Sequence, residues 1–402
     1  MLRTKRFGGI MDRLGKRRIS KPGAWFLLYL MPVAAAIAFY LFAIPLSSLL
    51  SPRGPEIASY IRTLGPLSNL GLPGINPYIP VVDGWIALFA AIIVHEGAHG
   101  VVARSLGLPV KSAGLLFFLF VPIGAFVEVD EDALKVAKGR DAGRVLAAGA
   151  GINFIAGLLC LLILVSLVGA MSPATTGAGI VSVAPGSPAA TRGLLVGDII
   201  TAVDGHAVTD LNTVLGENTT LKAGQSVNLT VYRNGATIFI DKVQLACCNK
   251  LIDVRTNQTL AEWPYIGVAQ VTYSQLQSNV AQYSRPLENL GLYFCPPTLT
   301  LCEERVPFSD VLAKMYTSSL GLVGAPLANL LYWLFFLNFS ISIFNSLPIY
   351  PLDGGQTFRV ALNGLARGRV GEKSLGRITS VVSLAVLAML LGVIVGPYLL
   401  AL

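Results

Sequence analysis

The sequence predicts a polytopic α-helical membrane protein of about five spans, with an extracytoplasmic α+β domain inserted between two membrane halves. Of its 402 residues, 53% are hydrophobic and only 13% are charged, a balance typical of multi-span membrane proteins. Several apolar runs are long enough to cross a bilayer as helices. One long polar stretch, residues 172–310, interrupts these runs and predicts an aqueous domain.

The net charge of +8 does not indicate nucleic-acid binding. Many basic residues flank the apolar runs, which is the positive-inside pattern of membrane proteins. The sequence contains no helix-turn-helix, zinc-finger or RNA-binding motif. The lipid bilayer is therefore the expected partner of the basic segments, and no nucleic acid is expected.

The first membrane half is predicted over residues 25–171, with spans at 25–49, 82–106 and 145–171. Residues 1–24 precede it and are strongly basic, which predicts a cytoplasmic tail. The Pro- and Gly-rich stretch between the first two spans is typical of an external loop.

The second predicted span carries a His-Glu-x-x-His motif. Positions i and i+4 of a helix share a face, so the imidazoles of His95 and His99 can reach one metal ion. Glu96 then lies where it can hold and deprotonate a metal-bound water. A chance match and a soluble zinc protease are the alternatives. The uncharged flank from Trp85 to Val94 disfavours both, because ionisable groups in a membrane-length apolar helix are costly and mark function.

A short apolar segment, residues 112–129, follows this span and is interpreted as a re-entrant β-hairpin near the site. Its apolar run ends at Pro122 and Gly124, which is too short for a spanning helix. A sheet edge there would be able to pair with an extended substrate. The alternative is a buried or interfacial segment without a catalytic role.

The third predicted span holds Asn153 at membrane depth. Small residues surround it and permit close packing of helices. Asn153 either makes a hydrogen bond to a neighbouring helix or lines the active site, and the sequence leaves both interpretations open.

The polar stretch opens with short β-type runs and turn signals. The run from Gly179, G-I-V-S-V-A-P-G-S-P-A-A-x-x-G-L-L-V-G-D-I-I, precedes a hairpin signal at Asn234-Gly235. Residues 176–246 thereby resemble a PDZ domain of the protease-associated kind. The resemblance implies that a peptide C-terminus adds to the strand after a loop at 176–181. The alternative is a PDZ-like fold that gates the membrane site sterically and binds nothing.

Four cysteines lie in residues 247–320, a segment predicted to be extracytoplasmic. Thiols in an oxidising space can form two disulfides. Adjacent cysteines rarely pair with each other, so Cys247 and Cys248 are each expected to bond Cys295 or Cys302. A second metal site is the alternative, but the spacing matches no common zinc pattern.

The second membrane half is predicted over residues 321–402, with spans at 322–347 and 378–400. The first of these ends in F-N-S-L-P-I-Y-P-L-D-G-G, where Pro and Gly residues break the helix. Asp353 is buried by its position in this stretch, and a carboxylate at that depth needs a cation. A metal ion held by the two histidines would meet this need, because three protein ligands and a water make a catalytic zinc site.

The two membrane motifs together resemble the site-2 protease family of intramembrane zinc metalloproteases. H-E-x-x-H lies in one helix, and N-x-x-P-x-x-x-L-D-G, from Asn345 to Gly354, lies in a later one. The family order is also matched: metal helix, hairpin, a helix with a small-residue and Asn motif, PDZ-like insertion and Asp helix. The resemblance covers roughly residues 82–360.

The resemblance implies a role for each matched residue. His95, His99 and Asp353 would ligate one Zn²⁺ per chain, and Glu96 would act as general base and then protonate the leaving amine. The residues implied to position the substrate are Asn345, Asn153 and Pro348.

The activity implied is hydrolysis of a peptide bond in or near the transmembrane helix of a membrane-anchored substrate, as in regulated intramembrane proteolysis. The protein is expected in the cell membrane, with a cytoplasmic N-terminus and an extracytoplasmic PDZ-like domain. A membrane-anchored PDZ scaffold with a non-catalytic metal site is one alternative, but a closed structural site needs a fourth protein ligand. A metal transporter is another, but apart from the motifs the spans contain almost no ionisable residues.

Overall fold

The computed structural model describes residues 2–4, 6–118, 121–216, 219–252, 259–366 and 369–400. The chain divides into two compact units. Unit 1 contains residues 1–161 and 333–402, and unit 2 contains residues 162–332.

Within the described residues, five helices are long and apolar enough to cross a membrane. They lie at Ser20–Leu49, Val81–Ser105, Ala148–Gly169, Gly321–Ser346 and Glu372–Leu399. The predicted number of candidate spans is therefore confirmed by length and composition, and each predicted span overlaps one of these helices.

The predicted basic tail is folded against the first membrane half. Strand β1 (Leu2–Thr4) pairs antiparallel with the first strand of the hairpin described below. Helix α1 (Arg6–Gly15) follows, and Oδ1 of its Asp12 lies 3.3 Å from Nε of Arg104. The tail therefore packs beside the helix that carries the H-E-x-x-H motif.

The first long helix, α2 (Ser20–Leu49), is followed by α3 (Gly54–Leu64) and then by α4 (Val81–Ser105). The sequence predicts only a loop between the two long helices, whereas the structure has the additional helix α3 there. A proline in its first turn and Glu56 near its N-terminus favour helix initiation at this point.

The predicted re-entrant segment forms the antiparallel hairpin of β2 (Val110–Phe118) and β3 (Val121–Val129). The order of this sheet is β1-β2-β3. In the described part of the chain β3 pairs with β2 alone, and its other edge faces α4, where the backbone N–H of Val127 donates to Oε2 of Glu96 at 3.0 Å. Whether the hairpin enters a membrane stays a prediction.

Three helices follow the hairpin: α5 (Glu131–Val136), α6 (Gly139–Leu146) and α7 (Ala148–Gly169). The sequence predicts one span from residue 145, whereas the structure has two helices that meet at Ala147. Helical hydrogen bonds continue through this junction, because Ala147 donates to Gly143 and accepts from Gly151. Residues on either side of the junction therefore keep helical spacing.

Unit 2 is built mainly from short strands and short helices. Its first half contains β4 (Ser172–Pro173), β5 (Ala178–Val183), α8 (Pro188–Thr191), β6 (Ile199–Val203), β7 (His206–Ala207), α9 (Asn212–Leu215), β8 (Ser226–Arg233) and β9 (Ala236–Gln244). Its second half contains β10 (Ala246–Ile252), β11 (Thr259–Tyr265), β12 (Val268–Val271), α10 (Tyr273–Tyr283), α11 (Leu290–Tyr293), α12 (Thr300–Glu303) and β13 (Tyr316–Thr317).

The main sheet of unit 2 has the strand order β12-β5-β6-β8-β9, with β7 paired to β6. Asn234 and Gly235 have φ angles of 50° and 90° and form the β8–β9 turn that their sequence predicts. The sheet buries an aliphatic core that includes Ile180, Ile200 and Leu229. Burial of this core stabilises unit 2.

Strand β12 lies outside the limits predicted for the PDZ-like domain, residues 176–246. It pairs antiparallel with one edge of β5, and β6 pairs with the other edge. The predicted loop, residues 176–181, lies mostly within β5, which has a strand on each side, so a peptide adding to β5 would displace β12. The resemblance to a PDZ domain and its peptide ligand stay predictions.

The predicted disulfide pairing is wrong. Cys295 bonds Cys302, so neither of them pairs with Cys247 or Cys248. The two partners lie only seven residues apart, and the turn between α11 and α12 brings their Cα atoms to 5.6 Å, within the range that a disulfide requires. Cys247 is also disulfide-bonded, and the side chain of Cys248 lies outside the described residues.

Unit 1 resumes at Trp333, within α13 (Gly324–Ser346), and continues with α14 (Asp353–Ala366) and α15 (Glu372–Leu399). Asp353 is the first residue of α14, where an acidic side chain interacts favourably with the helix dipole. A Cβ built on Gly354 or Gly355 would clash with the backbone of residues 346–350. The two glycines therefore permit the tight turn that links α13 to α14.

Glycines on α7 allow close contact with two neighbouring helices. A Cβ on Gly151 would lie 2.9 Å from Cβ of Leu27 on α2. A Cβ on Gly157 would lie 3.2 Å from the backbone nitrogen of Phe339 on α13. The small residues of this span thus pack as predicted for membrane helices.

Candidate metal centre

Three side chains from α4 and α14 converge in unit 1. Nε2 of His95 and Nε2 of His99 lie 3.1 and 3.2 Å from the same atom, Oδ2 of Asp353. Both histidines are buried, and their ring centroids are 4.9 Å apart. Ligand atoms around a tetrahedral zinc ion with bonds of about 2.0 Å are separated by about 3.3 Å. The observed spacing is close to that value.

Local structure explains the convergence. His95 and His99 are one helical turn apart on α4 and therefore share a face. Asp353 is the first residue of α14, directly after the turn that Gly354 and Gly355 permit. The turn brings the carboxylate back to the two imidazoles, although more than 250 residues separate them in sequence.

The donor chemistry of the three atoms fits a metal ion. Nδ1 of His99 lies 2.7 Å from the carbonyl oxygen of Val145. A carbonyl only accepts, so Nδ1 carries the proton and Nε2 of the neutral ring presents a lone pair. Among the described residues, Oδ2 of Asp353 is buried without a hydrogen-bond partner. A cation shared by Nε2 and Oδ2 would satisfy both atoms, and His95, His99 and Asp353 form a group able to hold one.

Gly149 of α7 leaves room for the two imidazoles. A Cβ built on this residue would lie 2.5 Å from Nε2 of His95 and closer still to Nε2 of His99. It would also lie 2.6 Å from Cε1 of His95, so the added carbon would collide with both imidazole rings. The absence of a side chain at residue 149 therefore allows both rings to occupy the positions from which they face Asp353.

Glu96 faces the hairpin beside this group. Its Oε2 accepts the hydrogen bond from Val127 of β3, at 3.0 Å. Glu96 and the three candidate ligands line the same cavity, which has a volume of about 640 Å³. The carboxylate therefore has access to a water or a peptide that enters the cavity next to the metal position.

Of the three residues predicted to position the substrate, only Asn345 is among the described residues that line this cavity. Asn345 lines the cavity, and its Nδ2 donates to the carbonyl of Ile341, one turn earlier in α13. Pro348 lies in the turn after α13, where its carbonyl accepts from Ser383, and is not among the described residues that line the cavity. Asn153 is fully buried and contacts His95 rather than the cavity.

Sequence reasoning missed three contributors to the site: the carbonyl of Val145, the backbone N–H of Val127 and the space at Gly149. Two of them are backbone atoms, which any residue supplies, so no residue type identified them. Gly149 had a signal, because it lies one turn before Asn153 in the small-residue run A-A-G-A-G-I-N. That spacing places both residues on one helix face.

Comparison with known proteins assigns the chain to a family. Residues 84–390 match peptidase family M50. An uncharacterized protein of Methanocaldococcus jannaschii is 26% identical over 408 residues, which cover 96% of this chain and 89% of that protein. A Clostridium perfringens protein, whose name assigns it provisionally to the zinc metalloproteases, is 26% identical over 329 residues, which cover 75% of this chain and 93% of that protein.

These matches confirm the resemblance to the site-2 protease family. The family match contains both membrane motifs and most of the chain between and around them. Its members are membrane-embedded metalloproteases, in agreement with the five apolar helices and with a group of residues able to hold a metal ion. The chain belongs to peptidase family M50.

Proposed function

We propose that the protein is an intramembrane zinc metalloprotease that hydrolyses a peptide bond in or near the transmembrane helix of a membrane-anchored substrate. One observation carries this proposal: His95, His99 and Asp353 converge beside the carboxylate of Glu96. The helix that holds the two histidines and Glu96 is long and apolar enough to span a bilayer. Three protein ligands leave a fourth position open for water or substrate, as in catalytic zinc sites.

The chemistry divides between the ion and Glu96. When bound, zinc supplies a Lewis acid that activates water and polarises a carbonyl oxygen. Glu96 accepts a proton from the attacking water and transfers it to the leaving amide nitrogen as the C–N bond breaks. The hydrogen bond from Val127 holds the carboxylate of Glu96 at the cavity while it does so.

The surroundings of Glu96 favour an apolar, extended substrate. A second cavity, of about 770 Å³, reaches Glu96 from the side of α1 and α2, and its walls are almost entirely apolar. The edge of β3 opposite β2 pairs with no other strand in the described part of the chain, so its backbone groups other than the Val127 N–H, which Glu96 holds, could pair with an added strand. A transmembrane segment that unwinds locally would have its apolar side chains covered and its backbone paired at this edge.

The proposed orientation places the N-terminus in the cytoplasm and unit 2 outside. The basic residues of the tail and of the segment before α15 then share the cytoplasmic side. Arg104 follows His99 by five residues, so helical rise places the metal roughly 8 Å or more inside that face. Cleavage would then take place in the cytoplasmic half of the bilayer.

A scaffold with a structural metal is the second candidate function. The number of protein ligands distinguishes a scaffold from a protease. A closed structural zinc site has four protein ligands. The group able to hold a metal consists, in the described part of the chain, of His95, His99 and Asp353. The open position favours catalysis over a structural role.

Metal removal tests the proposed function. A chelator is expected to abolish cleavage of a single-span substrate by the purified protein in detergent, because the Lewis acid is lost. Adding Zn²⁺ is expected to restore cleavage, whereas Mg²⁺ is not, since Mg²⁺ prefers oxygen ligands in octahedral geometry. Cleavage is followed by gel shift and mass spectrometry. Full activity in protein shown to be metal-free would contradict the proposal.

A further inference from the structure

One face of α6 and α7 supplies a contact to each histidine. Three positions on this face are spaced four residues apart: the carbonyl of Val145, the open space at Gly149 and the side chain of Asn153. Helical hydrogen bonds continue through Ala147, so the three positions lie on the same side of the helices. Val145 contacts Nδ1 of His99, and Asn153 contacts Nδ1 of His95.

The side chain of Asn153 has one unsatisfied atom. Its Nδ2 lies 3.3 Å from Nδ1 of His95, and its Oδ1 is buried without a hydrogen-bond partner among the described residues. The oxygen and nitrogen of an amide exchange places when the group rotates by 180°, and the hydrogen-bond network decides the orientation. The rotated amide would place Oδ1 where it accepts a proton from Nδ1 of His95.

A metal ligand requires this rotated arrangement. If Nε2 of His95 binds the ion, Nδ1 must carry the ring proton and needs an acceptor. Oδ1 of Asn153 is that acceptor, just as the Val145 carbonyl is the acceptor for His99. Asn153 is fully buried and does not line the cavity in the described structure, so a direct contact with substrate is disfavoured.

We infer that Asn153 is a positioning residue of the metal centre, which fixes the tautomer and ring orientation of His95 by accepting its Nδ1 proton. This inference rests on the proposed zinc site. Val145 fulfils the same role for His99 through its backbone, so Asn153 is the contact that a side-chain substitution can remove. Gly149, between them on the same face, leaves space for both imidazole rings.

The test measures zinc affinity, by competition with a chromophoric chelator, for the purified full-length protein and its variants. Asn153→Leu keeps the size of the side chain but has no acceptor, and it is expected to weaken zinc binding about 10–100-fold. Asn153→Asp keeps an oxygen at the same position and is expected to retain an affinity close to that of the wild type. This rescue separates an acceptor role from a packing role.

The matched control is Asn338→Leu. Asn338 is also a buried asparagine in a membrane-length helix, but its Nδ2 donates to Leu334 of its own helix. This variant is expected to bind zinc as the wild type does.

Three results would overturn the inference: wild-type affinity in Asn153→Leu, equal loss in Asn153→Asp, or equal loss in Asn338→Leu. If Asn153→Leu does not fold, Asn153→Asp decides alone, because loss of zinc from this folded variant contradicts an acceptor role. A wild-type protein that binds no zinc would instead contradict the proposed function itself.

Discussion

Replacing Glu96 with glutamine is expected to lower the rate of peptide cleavage by roughly 10²–10⁴-fold, because glutamine cannot accept a proton from water. The amide oxygen can still accept the hydrogen bond from Val127, so the position of the side chain is kept. The three candidate ligands are unchanged, and the variant should retain zinc. Single-turnover cleavage and metal analysis on the same preparation measure both properties.

Glu128 provides the matched control for this prediction. It is a second glutamate on the wall of the same cavity, and its Oε2 accepts a hydrogen bond from Ser112 at 2.6 Å. Glu128→Gln is expected to cleave within a few-fold of the wild-type rate. If Glu96→Gln retains its activity while Glu128→Gln loses it, Glu128 rather than Glu96 is the base.

Replacing Gly149 with alanine is expected to abolish zinc binding, and cleavage with it. The added Cβ would lie 2.5 Å from Nε2 and 2.6 Å from Cε1 of His95, so both imidazoles would have to move away from the positions in which they face Asp353. Alanine is otherwise the better helix former by about 1 kcal/mol, so the backbone of α7 tolerates the change. Zinc content, measured by atomic emission on the purified variant, should fall from about one ion per chain to almost none.

Gly143→Ala is the control for the added methyl group. Gly143 lies on α6, and its Cβ would be 3.6 Å from Cδ1 of Leu28, an ordinary van der Waals contact. This variant should keep its zinc. A folded Gly149→Ala protein that still holds one zinc ion per chain at wild-type affinity would show that zinc binding does not require the imidazole positions seen here.

The main parts of the candidate centre could be predicted from the sequence because their signals are local. His95 and His99 follow helical spacing, and Asp353 is a carboxylate in an apolar, Pro- and Gly-rich setting where a lone charge is costly. The five candidate spans likewise follow from the length of their apolar runs. In each case the residue types and their spacing are enough to predict the feature, without knowledge of tertiary contacts.

Other features depend on tertiary contacts that no short motif encodes. Val127 and Val145 act through backbone atoms, and the role of Asn153 requires knowing which histidine lies opposite. Strand β12 joins the main sheet only after the chain has passed through another hairpin. The Cys295–Cys302 pairing depends on a local turn, whereas the sequence argument considered only which thiols share a compartment.

The most direct test of the central claim is to locate the cut. Zinc-loaded protein is reconstituted in liposomes with a single-span substrate, and the products are mapped by mass spectrometry. The proposed function predicts one main cut within or beside the apolar span, absent from the Glu96→Gln control. Zinc-loaded, folded protein that cuts only the aqueous part of the substrate, or that cuts equally well with Glu96→Gln, would contradict it.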